Sequence, residues 1–117
     1  MSDWKQACTL SLEIAAHPLH PSLDCTEIVD RFCAIAPSGT RRYITAIDDR
    51  PHSFVVWERG RWREFVYHAV FVLDHHVFDP YWSAEPLPID AYWQRVQSAN
   101  PHQALHWRES LPATFIQ

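Results

Sequence analysis

Glycine is scarce in this chain of 117 residues, with only Gly39 and Gly60 present, a globular composition far from the disordered class. Long hydrophobic runs are missing as well. The longest, Ala69 to Leu73, falls far short of the roughly 20 residues that cross a bilayer, so no membrane partner is expected. The amino end, Met1-Ser2-Asp3-Trp4-Lys5, has no basic stretch leading into an apolar block, and no secretory signal is visible. Basic charge is not in surplus: the formal net charge is −4, and the tightest basic group, Arg59, Arg61 and Arg63, is bracketed by Glu58 and Glu64. A nucleic-acid interface needs a dense patch of one sign, so none is expected. Cysteine occurs three times, as Cys8, Cys25 and Cys33, with no CxxC or zinc-type spacing. Cys25 and Cys33 lie about two turns apart on one expected helix, too distant to bridge, and reduced thiols of a cytoplasmic protein are the default.

Apolar residues make up 47% of the chain and aromatics 14%, enough to fill one core, and residues 1–117 read as one domain. Trp4 to Ala16 has helical spacing, stopped by His17-Pro18 and His20-Pro21 because proline disfavours helical geometry in the residue before it. Asp24 reads as an N-cap with Glu27 three residues on, opening a helix over Cys25 to Ala36 whose apolar face is Ile28, Val29, Phe32, Cys33 and Ile35. From Arg41 the period shortens. Arg42 to Ile47, Ser53 to Trp57, Arg63 to Leu73 and Val77 to Asp79 are predicted strands, with turns at Asp48-Asp49-Arg50-Pro51 and Arg59-Gly60. Pro80 to Pro88 reads as a loop, Ile89 to Gln97 as a helix with Ile89, Trp93 and Val96 inward, and His102 to Glu109 as a short helix. The expected class is α+β: helices, an antiparallel sheet, then a covering helix.

Within that frame the order Cys25, His68, Asp79 carries chemistry. At the first turn of a helix a thiolate is favoured by free N–H groups and by the helix dipole. If the loop around Asp74 to His76 is two residues long, even-numbered residues before it pair with odd ones after it. His68, Val70 and Val72 then share a face with Val77 and Asp79, and a three-residue loop would separate them. On one face, Asp79 can hold one ring nitrogen of His68 while the other meets a nucleophile. Cys8 and Cys33 read as packing. Asp74, His75, His76 and Asp79 cluster locally, but adjacent strand residues point to opposite faces and no HExxH motif occurs, so neither metal nor cofactor is expected. The six Trp read as core and rim, not as a base-stacking platform.

The segments Tyr67-His68-Ala69-Val70-Phe71-Val72, Val77-Phe78-Asp79-Pro80 and Leu87-Pro88-Ile89-Asp90-Ala91-Tyr92 resemble the C-terminal half of protein N-terminal glutamine amidohydrolases. The layout is also similar to bacterial papain-fold toxin and glutamine deamidase domains. The resemblance implies a papain-like fold, a Cys25 nucleophile, a His68 base and an orienting Asp79. Many papain-like enzymes carry an oxyanion-donating Gln ahead of the nucleophile. This chain has none between His17 and Asp24, leaving His20, Ser22 or only the backbone N–H groups of Cys25 and a neighbour for that task.

These readings point to a cysteine amidohydrolase that converts glutamine to glutamate on a protein or peptide. It would act in the cytoplasm or, on the toxin-like branch, as an effector delivered into a target cell and paired with an immunity or regulatory protein. A cysteine peptidase or transglutaminase-like acyl transferase would use the same thioester. A non-catalytic acidic interaction or immunity-type protein is the alternative from another class, since aromatics anchor interfaces.

Overall fold

Two helices open the chain, strands dominate its middle and a third helix follows; the computed structural model describes residues 2–17, 23–48 and 50–115. Helix α1 (Asp3–Ala16) starts where Ser2 Oγ accepts the Lys5 N–H at 3.2 Å, and it turns Ala7, Ser11 and Ile14 inward at spacings of four and three. The proline stop after it involves Pro18, His20 and Pro21, which lie outside the described residues. Helix α2 (Cys25–Ile35) is capped as its sequence requires. Asp24 Oδ1 accepts the Glu27 N–H at 2.9 Å and the Thr26 hydroxyl at 2.6 Å. Such a cap contributes about 1 kcal/mol. Here it also places Cys25 at the first helical position.

The strands are β1 (Thr40–Ala46), β2 (Phe54–Glu58), β3 (Arg61–Phe65), β4 (His68–Leu73), β5 (His76–Phe78) and β6 (Leu87–Pro88). Helix α3 (Ile89–Ala99) and strand β7 (Leu105–Arg108) complete the order. Five strands form one antiparallel sheet in the order β6-β5-β4-β1-β7, while β2 and β3 pair as a separate hairpin. Central β4 is buried along its whole length, as a strand covered on both faces must be. Its odd residues Ala69, Phe71 and Leu73 join the core under α1 and α2. Its even residues Val70 and Val72 join a second core with Val77, Tyr92 and Val96, closed by Phe54 and Val56 of the hairpin. Gly39 admits the Phe71 ring so closely that any Cβ there would collide with it. No helix among the described residues is long and apolar enough to cross a membrane.

The fold is α+β with three helices and an antiparallel sheet, as expected, but three segments differ from the sequence reading. The run Arg63 to Leu73 is not one strand. It leaves the hairpin at Phe65, passes through Val66 and Tyr67, and enters the main sheet at His68. The segment His102 to Glu109 contains strand β7, not a helix, because β1 offers it an edge: Ile44 pairs with Trp107 and Ala46 with Leu105. The Pro80 to Pro88 loop ends in the short β6, pairing Leu87 with Val77. Asp49 of the expected turn lies outside the described residues.

Candidate functional site

The β4–β5 connection decides which groups meet. It is a two-residue loop, Asp74-His75, with φ of 50° and 60°, the left-handed pair that suits a tight hairpin. Val72 therefore pairs with Val77 and Phe71 with Phe78, and Asp79 follows directly on the last paired residue, on the face that Val77 shares. His68 and Asp79 consequently fall on the α3 face of the sheet. His68 Nε2 lies 2.9 Å from Asp79 Oδ2, with His68 1% and Asp79 9% exposed.

Cys25 reaches this pair from the opposite face. The pairing of β5 with β4 ends at Phe78 opposite Phe71, so the first residues of β4 have no strand neighbour on that side. The Ala69 N–H donates to Cys25 Sγ at 3.4 Å instead. With Nε2 taken by Asp79, Nδ1 is the ring nitrogen left for the thiol; it is buried and unpaired, with Cys25 close enough to influence the ring. Burial opposes the charged imidazole. The Asp79 carboxylate, by charge and hydrogen bond, outweighs it together with Cys25, and His68 titrates well above its ordinary value of 6.5. The structure thus brings Cys25, His68 and Asp79 together around the start of β4.

Three further participants are not assigned to the site from the sequence. Tyr92, fully buried on α3, donates its hydroxyl to Asp79 Oδ2 at 2.8 Å. Burial, then the adjacent carboxylate, pushes its phenol well above 10. The spacing Ile89, Tyr92, Val96 marks an inward helical face that would have found it. The second is the Ala69 N–H, which no side-chain pattern can reveal. The third is Glu58, 7% exposed at the end of β2, where Arg63 Nη1 donates to its Oε1 at 2.9 Å.

The thiol opens onto a cavity of about 570 Å³ between the start of α2 and the β2–β3 hairpin. Asp24, Cys25, Glu58, Arg63, Phe65 and Tyr67 are among its walls. Phe65 stands edge-on to His68, 4.6 Å between ring centres, and shields the imidazole from that side. Cys8 and Cys33 pack half-buried against the α1–α2 core, and burial pushes the Cys8 thiol up. His75 and His76 do not join the site. His76 instead packs edge-on against Trp4 and its Nδ1 meets the Asp74 carbonyl oxygen at 2.7 Å. Tyr81 is buried in the α1–α2 core, whereas Trp82 lines a different cavity. His20 and Ser22, the side chains considered as oxyanion donors, lie outside the described residues. Among the described residues, no three His, Cys, Asp or Glu side chains cluster as a metal site would require. Compared with known proteins, the chain matches no protein-family model, no curated protein and no solved structure.

Proposed function

We propose that the chain is a papain-like cysteine amidohydrolase that converts glutamine to glutamate on a protein or peptide. The observation that carries this reading is the buried His68 imidazole, held by Asp79 at 2.9 Å beside a thiol on a helix start. His68 Nδ1 takes the Cys25 proton, and the thiolate attacks the carboxamide carbon. The Cys25 N–H, which precedes the hydrogen-bond ladder of α2, is a donor for the resulting oxyanion. The imidazolium returns its proton to the departing nitrogen, ammonia leaves and a thioester remains. Water then gives a proton to the same imidazole and attacks the thioester. Glutamate is released as the sulfur regains its proton.

The walls of the cavity favour an amide substrate. Glu58 and Asp24 supply oxygen acceptors of the kind a carboxamide NH₂ requires. A peptidase or acyl transferase would share the thioester and differ in acceptor and leaving group. On the effector branch the substrate would be a protein of the target cell, and an immunity protein would cover the Cys25 cavity. The non-catalytic interaction reading draws on a separate groove walled by Trp57, Trp62 and Trp82. Incubation with glutamine peptides and a cell lysate, scored by ammonia release and the mass gain of amide-to-acid conversion, separates these readings. Conversion at specific glutamines is expected for wild type, falling by roughly 10⁴-fold or more in Cys25→Ala. Peptide cleavage instead of conversion would make the chain a peptidase, and no Cys25-dependent change would leave the interaction protein.

A further inference from the structure

The proposed chemistry employs Cys25, His68 and Asp79, yet the buried polar chain does not end at Asp79. Tyr92 and His68 contact the same carboxylate oxygen, Oδ2, at 2.8 Å and 2.9 Å, from an α-helix and a β-strand respectively. A fully buried phenol requires a hydrogen-bond partner. That need explains a contact but not the choice of the one oxygen the imidazole also occupies. The backbone of Asp79 is fixed separately, because its carbonyl accepts the N–H groups of Trp82 at 2.9 Å and Ser83 at 3.0 Å. What remains free is rotation of the carboxyl group, and the two donors at Oδ2 remove that freedom. The Tyr92 ring is itself wedged, with Trp82 at 4.9 Å and Trp107 at 6.3 Å between centres.

We propose that Tyr92 is a positioning residue of the Cys25 site: it orients the Asp79 carboxylate and draws off part of the Oδ2 charge that would otherwise bind His68. The designation of a site rests on the amidohydrolase reading. The contact and its electrostatic effect do not. The positive end of the phenol dipole lies at Oδ2 beside the imidazole, where it disfavours the imidazolium. Charged and titratable groups from several elements act on this polar chain, with Asp24 and Tyr67 standing beside Cys25. Cys25 comes from α2, Glu58 from β2 with Arg63 of β3 paired to it, and Asp79 and Tyr92 stand on either side of Oδ2. Phe65 of β3 contributes only an uncharged ring. Tyr92 therefore sets the pH range over which His68 exchanges a proton with the thiol.

The test follows the His68 imidazole through a pH titration by NMR, in the whole chain and without substrate. It reports on Tyr92 even if no deamidation is found. In Tyr92→Phe, which keeps the ring and loses the hydroxyl, the His68 midpoint is expected to rise by about half a pH unit or more. In an Asp79→Asn background the same Tyr92→Phe change should leave the midpoint unmoved, because the shared charge has gone. Site-specific 3-fluorotyrosine at position 92 preserves the packing and strengthens the donor, so it should lower the midpoint, and it serves if Tyr92→Phe does not fold. An unmoved or lowered midpoint in folded Tyr92→Phe, or an unmoved or raised one with the fluorinated residue, would overturn the proposal.

Discussion

The β2–β3 hairpin presents two cavities of nearly equal size, about 580 Å³ and 570 Å³, furnished in opposite ways. In one, Trp57 and Trp62, paired across the strands, meet Trp82 and the α3 side chains Gln94 and Arg95. The other holds Cys25 among carboxylates and guanidinium groups. Strand alternation accounts for the division, since Trp57 and Trp62 point to one face while Glu58 and Arg63 point to the other. Volume does not separate the two cavities. What stands behind each wall does. Trp82 backs onto the ring of Tyr92, whereas Cys25 backs onto the thiol-facing end of a buried imidazole–carboxylate–phenol chain. A site for chemistry is marked by buried polar groups that need one another, and an apolar cavity of the same size need not be that site.

The largest effect should come from cutting the polar chain behind the Cys25 wall. Asp79→Ala leaves His68 without its orienting acid. On the proposed amidohydrolase chemistry the expected loss is roughly 10³-fold in kcat/KM by deamidation kinetics, and independently of it about 3 kcal/mol of stability by urea unfolding. A fully active, fully stable variant would erase the distinction between the cavities.

Next in size is the pH dependence of stability. Because His68 binds its proton more tightly in the folded than in the unfolded chain, its contribution is fully present below about 6.5. It should decline as pH rises through the higher folded value. Urea midpoints in wild type are expected to drop over that alkaline interval, and this component should be missing in His68→Gln.

The smallest effect belongs to the tryptophan side. Trp62 is 47% exposed, so Trp62→Ala should cost no more than about 1 kcal/mol and leave kcat unchanged. A collapse of kcat in folded Trp62→Ala would show that the two cavities act as one.

Local signals made much of this legible in the sequence. Asp24 and Glu27 announced the start of α2, and Asp74-His75 admitted a two-residue loop whose parity put His68 and Asp79 on one face. Contacts distant in the chain were harder to read. Phe65, Val66 and Tyr67 are all good strand formers, so composition joined β3 to β4. The break arises from a change of partner, and its trace is the shift from half-exposed β3 to wholly buried β4. Strand β7 exists because β1 has a free edge, which local propensity near His102 cannot report. Tyr92 is legible only as part of the family resemblance, because the helical spacing of α3 reads with Trp93, one position on, turned inward in its place.

The central claim is that Cys25 differs in kind from Cys8 and Cys33 because His68 stands beside it. The most direct measurement is limited iodoacetamide labelling near neutral pH, mapped peptide by peptide, with wild type beside His68→Ala. Rapid modification of Cys25 alone, lost in His68→Ala while the fold persists, is the predicted result. Equal, slow labelling of all three cysteines in wild type would contradict the account.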